Sequence, residues 1–177
     1  MLSAMKVTVH GKRPVRGVFC STPPHLGKED KVEKIEDMYI DTGLGERAKD
    51  VVSAGDRITF SQSFTEMLGT CVTAKSLDNR AGCASLIRCA QLLHGKDLPC
   101  NVVFLLSDAE EIGGMGAKTN AFSVFPDEAV AVDVSFGNAP DIEPEKTGPL
   151  GDGAMLGISP LLSKTVIEGL KRIADTK

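Results

Sequence analysis

Two adjacent carboxylates, Glu110 and Glu111, follow the apolar run Val102-Val-Phe-Leu-Leu106 and precede Gly113, Gly114 and Gly116. A buried strand that ends in paired acids and a glycine-rich turn puts two charges at the lip of a sheet. Unpaired charges are costly to hold there, so either water or a cation must meet them. Two further acids are placed alike. Asp78 falls in the turn between a strand and the helix it feeds, and Asp133 falls near the end of the apolar run 129–134. Three segments thus bring acids to one edge of a parallel sheet, the edge beyond which open α/β sheets bind ligands. Converging acids repel one another unless a cation neutralises them, and the pattern therefore points to a metal site. Plainer readings stand beside this one. Asp78 also suits a helix N-cap, and Glu110–Glu111 also suits a solvated loop start. Asp133 inside an apolar strand is harder to account for without a partner, because a lone buried Asp is expensive.

The other reactive residues read as structure. The chain has only three histidines, His10, His25 and His94. His10 sits in a turn, His25 follows two prolines in a loop, and His94 at a helix C-terminus complements the helix dipole. The five cysteines, Cys20, Cys71, Cys83, Cys89 and Cys100, are odd in number, scattered and without a CxxC. They read as small core residues in a reducing cytoplasm rather than as a disulfide framework.

The elements that must position the acids fall into two grammars. Residues 1–74 read as β-rich. Candidate strands are Met5–Val9, Pro14–Cys20, Met38–Asp41, Arg57–Phe60 and Gly69–Ala74, with a short helix over 48–53 and frequent turn signals. Such spacing suggests a small barrel or sandwich. Thr22-Pro-Pro-His25 cannot be helical, and the charge-dense stretch Lys28–Glu36 reads as a solvated loop or short helix. Residues 75–177 read as α/β. Cys83, Leu86, Ile87, Ala90 and Leu93 form a helical stripe that Asp78 or Asn79 can cap, with Gly95 at the C-cap. Cys100–Leu106 and 128–135 are continuous apolar runs, as expected of parallel strands covered on both faces. A short helix is predicted over 117–122, a loop over 138–153, and a last helix starting at Ser159-Pro160 with Leu162, Val166, Ile167, Leu170, Ile173 and Ala174 on one face. The fold class is therefore α/β with a β-rich companion.

The composition, 42% hydrophobic and 25% charged over 177 residues, provides for one core plus a small second unit. A net charge of -4 without a basic tract argues against nucleic acid. No apolar run approaches the roughly 20 residues of a membrane span, and no signal-peptide core is present, which argues against a membrane partner.

Leu77-Asp-Asn-Arg-Ala-Gly82, Ala109-Glu-Glu-Ile-Gly113 with Gly116-Ala117, and Val132-Asp-Val134 resemble the three carboxylate motifs of the glutamyl aminopeptidase/tetrahedral (deblocking) aminopeptidase family of dinuclear metallopeptidases. Ser21-Thr-Pro-Pro-His25, Met38-Tyr-Ile-Asp-Thr-Gly43 and Gly55-Asp-Arg-Ile-Thr-Phe60 resemble that family's inserted β-rich, barrel or PDZ-like dimerisation domain. Gly151-Asp-Gly153 through Ser159-Pro-Leu161 resembles the segment before a late helix. The similarity covers nearly the whole chain. It implies a partial α/β/α metallopeptidase sheet over 75–177 and a partial dimerisation domain over 1–74. It also implies a metal-bridging role for Asp78, one metal ligand each from Glu111 and Asp133, and a general-base role for Glu110. Two divalent ions (Zn, Co or Mn), peptide substrates, a homo-oligomer, a cytoplasmic location and a cis Asp78–Asn79 bond are implied as well.

One departure stands out. The resemblance implies two further metal ligands, both histidine, and neither has a counterpart here, so the chain reads as the middle of a protein about twice as long. Carboxylates alone favour hard cations such as Mg²⁺ or Mn²⁺ over zinc. The expected function is a metal-dependent aminopeptidase, in this chain incomplete and weakly active or inactive. The alternatives are a non-catalytic oligomerisation or binding module that keeps the dimerisation surface, and a related dinuclear deacylase or carboxypeptidase, which fits residues 1–74 poorly.

Overall fold

The computed structural model describes residues 2–23 and 34–176. His25 and most of the stretch Lys28–Glu36 lie outside the described residues. Two compact units emerge, residues 1–75 and residues 76–177.

In the first unit, alternating side chains make a sheet with one apolar face. Strands β1 (Lys6–His10), β2 (Pro14–Cys20), β3 (Tyr39–Asp41) and β4 (Arg57–Phe60) are antiparallel in the order β3-β2-β1-β4. The β1–β2 register puts Val7 opposite Gly17 and Val9 opposite Val15, and β4 adds Phe60 and Ile58 opposite the same two valines. Side chains two apart share a face, so one slip of register would turn this set to solvent. Val7, only 1% exposed, Val9 and Val15 form the buried core. Phe19 and Phe60 extend it, with ring centroids 6.2 Å apart. A short helix α1 (Ala48–Val51) ends under the β1–β2 hairpin, where the Lys12 N–H donates to the Val51 carbonyl at 2.9 Å. Gly11 is required at that hairpin, since a Cβ there would lie 2.2 Å from the Val51 oxygen. A two-residue ladder, β5 (Thr65–Glu66) with β6 (Val72–Thr73), completes the unit. The strand expected over 69–74 is shortened to β6, because Met67 and Cys71 close the turn between the two. His10 is exposed at the end of β1, its Nε2 2.9 Å from the Thr59 hydroxyl.

Among the described residues the second unit carries three α-helices, α2 (Leu77–Leu93), α3 (Met115–Val124) and α4 (Lys164–Ala174). The α2 cap is Asn79, whose side-chain oxygen accepts from the Gly82 N–H at 3.0 Å, while Asp78 and Asn79 themselves are non-helical. Gly95, at φ +74°, ends α2 in the left-handed turn that favours glycine. The last helix starts at Ser163 rather than at Ser159-Pro160. The Ser163 hydroxyl caps the Val166 N–H, and Ser159 instead folds a tight turn by accepting from Leu162.

The predicted parallel strands require correction. Among the described residues neither 100–106 nor 128–134 is a paired strand, and the only sheet pairing of this unit is the short parallel ladder β7 (Phe136–Gly137) with β8 (Thr147–Gly148). Both runs pass without a turn, but a strand exists by its hydrogen-bonded neighbour, and here none is alongside. The core reading of the cysteines is overturned as well. Cys71, Cys89 and Cys100 are exposed, and Cys20 and Cys83 are half-buried.

Candidate functional site

The path to the site starts where the apolar run 102–106 ends. Ala109 (φ +55°), Gly113 (φ +110°) and Gly114 (φ +64°) take left-handed backbone, and the Gly114 N–H donates back to the Ala109 and Glu110 carbonyls. This tight reversal sets Glu110 and Glu111 on the loop and starts α3 directly after it. Gly116 then packs against Asp108 so closely that a Cβ would lie 2.7 Å from both its backbone N and O. On the other side, the Asn79 side chain donates to the Val132 carbonyl at 2.8 Å. That bond ties the start of α2 to the run 129–134. The Asp78–Asn79 peptide bond is cis, as the resemblance implies.

These connections bring all four predicted acids to one place. Asp78, Glu110, Glu111 and Asp133 line a single cavity of about 380 Å³. All four are exposed, so water solvates them as they stand. The expectation of a buried Asp133 is therefore corrected. Without sheet neighbours its segment stays open, and its carboxylate accepts from the next residue's own N–H at 2.8 Å. Neither His10 nor His94 lines the cavity.

The donor set is chemically right for a hard cation, being all carboxylate oxygen. Its geometry falls short. Among the described residues no group of three His, Cys, Asp or Glu side chains is placed to hold a metal ion. The residues present therefore do not make a metal site by themselves.

Two features of the lining go beyond the sequence reading, which gives Arg80 no role and Asn79 only that of a possible helix cap. Arg80 is the only cation among the residues lining the cavity, and Asn79 joins the two acid-bearing segments. The signal for both was their place beside Asp78, though nothing in one sequence shows that an amide at the start of a helix reaches a segment 53 positions away.

The family model described as M42 glutamyl aminopeptidase matches residues 1–177. A putative aminopeptidase of Acetivibrio thermocellus is 39% identical over 123 residues, covering 63% of this chain and 36% of the relative. The aminopeptidase APDkam598 of the archaeon Desulfurococcus kamchatkensis superposes with a TM-score of 0.79 at 28% identity, over 99% of this chain and 51% of that one. PhTET1-12s, a dodecamer, superposes with a TM-score of 0.75 at 28% identity, over 99% of this chain and 54% of that one. The chain thus spans about half or less of the length of each.

Proposed function

Because this chain belongs to the M42 glutamyl aminopeptidase family, we propose that its acidic cavity is the carboxylate portion of a metal-dependent aminopeptidase site. The observation that supports this is the meeting of Asp78, Glu110, Glu111 and Asp133 in one cavity from three separate segments. The reaction proposed for the whole protein is removal of the N-terminal residue of a peptide, with divalent ions (Zn, Co or Mn) supplying Lewis acidity. In that reading Asp78, Glu111 and Asp133 are oxygen ligands and Glu110 is the proton-accepting carboxylate. Among the described residues three donors do not gather, so hydrolysis is not a step that these residues perform alone. The chain by itself is accordingly weakly active or inactive. Its proposed location is the cytoplasm, where five free thiols stay reduced. Among the described residues no helix is long and apolar enough to cross a membrane.

The test has two parts. Mn²⁺ binding, followed by water-proton relaxation, is expected to weaken in Asp78→Asn and to be unchanged in Glu143→Gln, an acid outside the cavity. The reverse order would sink the site assignment. Aminoacyl-anilide cleavage with Mn²⁺, Co²⁺ or Zn²⁺ is expected to match the metal-only blank. Turnover typical of an intact enzyme would overturn the inactive reading and leave the site assignment standing.

A second reading, a non-catalytic oligomerisation module, is supported by one observation. The buried core residues Val7, Val9 and Val15 all belong to the first unit, the part proposed to be a barrel or PDZ-like dimerisation domain. One relative in the comparison is a dodecamer, and a homo-oligomer is proposed here too. A defined oligomer by light scattering with no metal retained would favour the module.

A further inference from the structure

We infer that Asp152–Gly153 is a site of spontaneous covalent modification, at which Asp152 cyclises to a succinimide and reopens as an isoaspartyl residue. The reaction needs a carboxyl group, a following main-chain nitrogen free to reach it, and little bulk on the residue that carries that nitrogen. Asp152–Gly153 is the one Asp-Gly pair of the sequence, and Asn-Gly does not occur. Glycine has no Cβ to crowd the closing ring and leaves the backbone free to turn toward it.

The fold leaves the reacting groups free. Gly151, Asp152 and Gly153 are exposed in the connection between β8 and α4. Gly151 and Gly153, at φ +96° and +94°, flank Asp152 with left-handed backbone, and a Cβ built on either meets nothing within 4 Å. Among the described residues the Gly153 N–H donates no hydrogen bond, and the Asp152 carboxylate accepts none and joins no ion pair. The Asp152 N–H is held by the Pro149 carbonyl at a long 3.4 Å. Asp41 and Asp56 differ. Asp41 accepts from the Gly43 N–H and Asp56 from the Ser53 N–H, each at 2.7 Å, and each is followed by a residue with a side chain, Thr42 and Arg57.

The step balances without an added reagent. The Gly153 nitrogen attacks Cγ of the protonated Asp152 carboxyl and forms the new C–N bond. The carboxyl hydroxyl leaves with the amide proton as water. Water then adds back at the former main-chain carbonyl carbon of Asp152 and breaks its bond to the Gly153 nitrogen. The chain now runs through Cγ, and the old main-chain carbonyl has become a free carboxylate. Charge and mass are unchanged, and the backbone is longer by one methylene. That methylene enters close before Met155, whose sulfur packs so tightly on Gly148 that a Cβ there would lie 2.9 Å from it.

The modification is independent of the peptidase reading and is measured without activity. The full 177-residue chain is incubated at neutral pH, once folded and once in urea. Methyl transfer from S-adenosylmethionine by an isoaspartyl methyltransferase counts the product. Peptide mapping places it, because the isoaspartyl and aspartyl peptides have equal mass and different retention. Isoaspartate is expected to accumulate at Asp152 in the folded chain at a rate within about threefold of the unfolded chain, since an exposed segment opens at almost no cost in free energy. Asp152→Glu keeps the charge, and its longer side chain is expected to leave the peptide free of isomer. Isomer in the unfolded chain alone overturns the inference, because the fold would then protect the bond. Absence of isomer from both states overturns it too, and so does a signal that survives Asp152→Glu.

Discussion

The Asn79 side chain bridges two segments that each carry a cavity acid: its nitrogen donates to the Val132 carbonyl at 2.8 Å, and its oxygen accepts from the Gly82 N–H at 3.0 Å. Asp78 precedes it in the chain and Asp133 follows Val132. One carboxamide thus helps set where two of the four acids sit. Each bond is worth about 1 kcal/mol net. Asn79→Ala loses both, and Asn79→Asp keeps the acceptor and loses only the donor. Urea unfolding followed by a probe in the second unit is expected to show a loss of about 2 kcal/mol for Asn79→Ala and about 1 kcal/mol for Asn79→Asp. Equal losses would mean that the bond accepted from the Gly82 N–H contributes nothing.

Gly82 makes that bridge possible. It is buried, and a Cβ there would lie 2.3 Å from the Asn79 Oδ1, with Cγ and Nδ2 next nearest at 2.9 Å. Gly82→Ala gains about 1 kcal/mol of helix propensity but displaces a side chain whose two bonds are worth more together. The net effect is expected to be destabilising in the wild-type background. In Asn79→Ala the obstructing atoms are gone, and the same change is expected to become stabilising by up to about 1 kcal/mol. A double-mutant cycle by urea denaturation reads this reversal of sign, and additive effects would refute the contact.

Gly116 presents the opposite case. Its nearest neighbours include the backbone N and O of Asp108, both 2.7 Å from a built Cβ, besides the Asp108 Oδ1 at 2.3 Å. Backbone cannot swing aside as a side chain does. Gly116→Ala is expected to cost about 1–3 kcal/mol by overpacking, read as a fall in urea midpoint. Asp108→Ala is not expected to rescue it, because the two backbone atoms remain. Full rescue would show that only the carboxylate stood in the way.

The legibility of the chain divides at the same kind of boundary. Local patterns were readable. The alternation of Val7 and Val9 gave β1, the Arg57–Phe60 run gave β4, and the stripe through Cys83, Leu86 and Leu93 gave α2. The four acids were readable because three motifs end apolar runs or open a helix, and they do line one cavity. Pairing was not readable. The runs at 100–106 and 128–135 have the composition of covered parallel strands, but composition states what a segment needs and not which segment lies beside it. The burial expected of Asp133 and Cys100 failed for that reason. Ser163 displaced Ser159 as the α4 cap because both serines satisfy the same local rule and only folding decides between them.

Cation selectivity separates a gathered site from four solvated acids. Asp78, Glu110, Glu111 and Asp133 are exposed, and no three donors converge among the described residues. Binding to such a set is mostly long-range attraction in water, which salt screens as the Debye length shrinks from about 30 Å at 0.01 M to about 8 Å at 0.15 M. Mn²⁺ affinity of this chain is expected to drop steeply over that range. Ca²⁺ and Mg²⁺ are expected to displace Mn²⁺ at comparable concentrations, since no fixed cavity of donors favours one radius over another. Isothermal titration in the two salts, with Ca²⁺ competition, decides the matter. Mn²⁺ or Zn²⁺ held against excess Ca²⁺ at 0.15 M salt would show that the acids close into a site that three or more donors share.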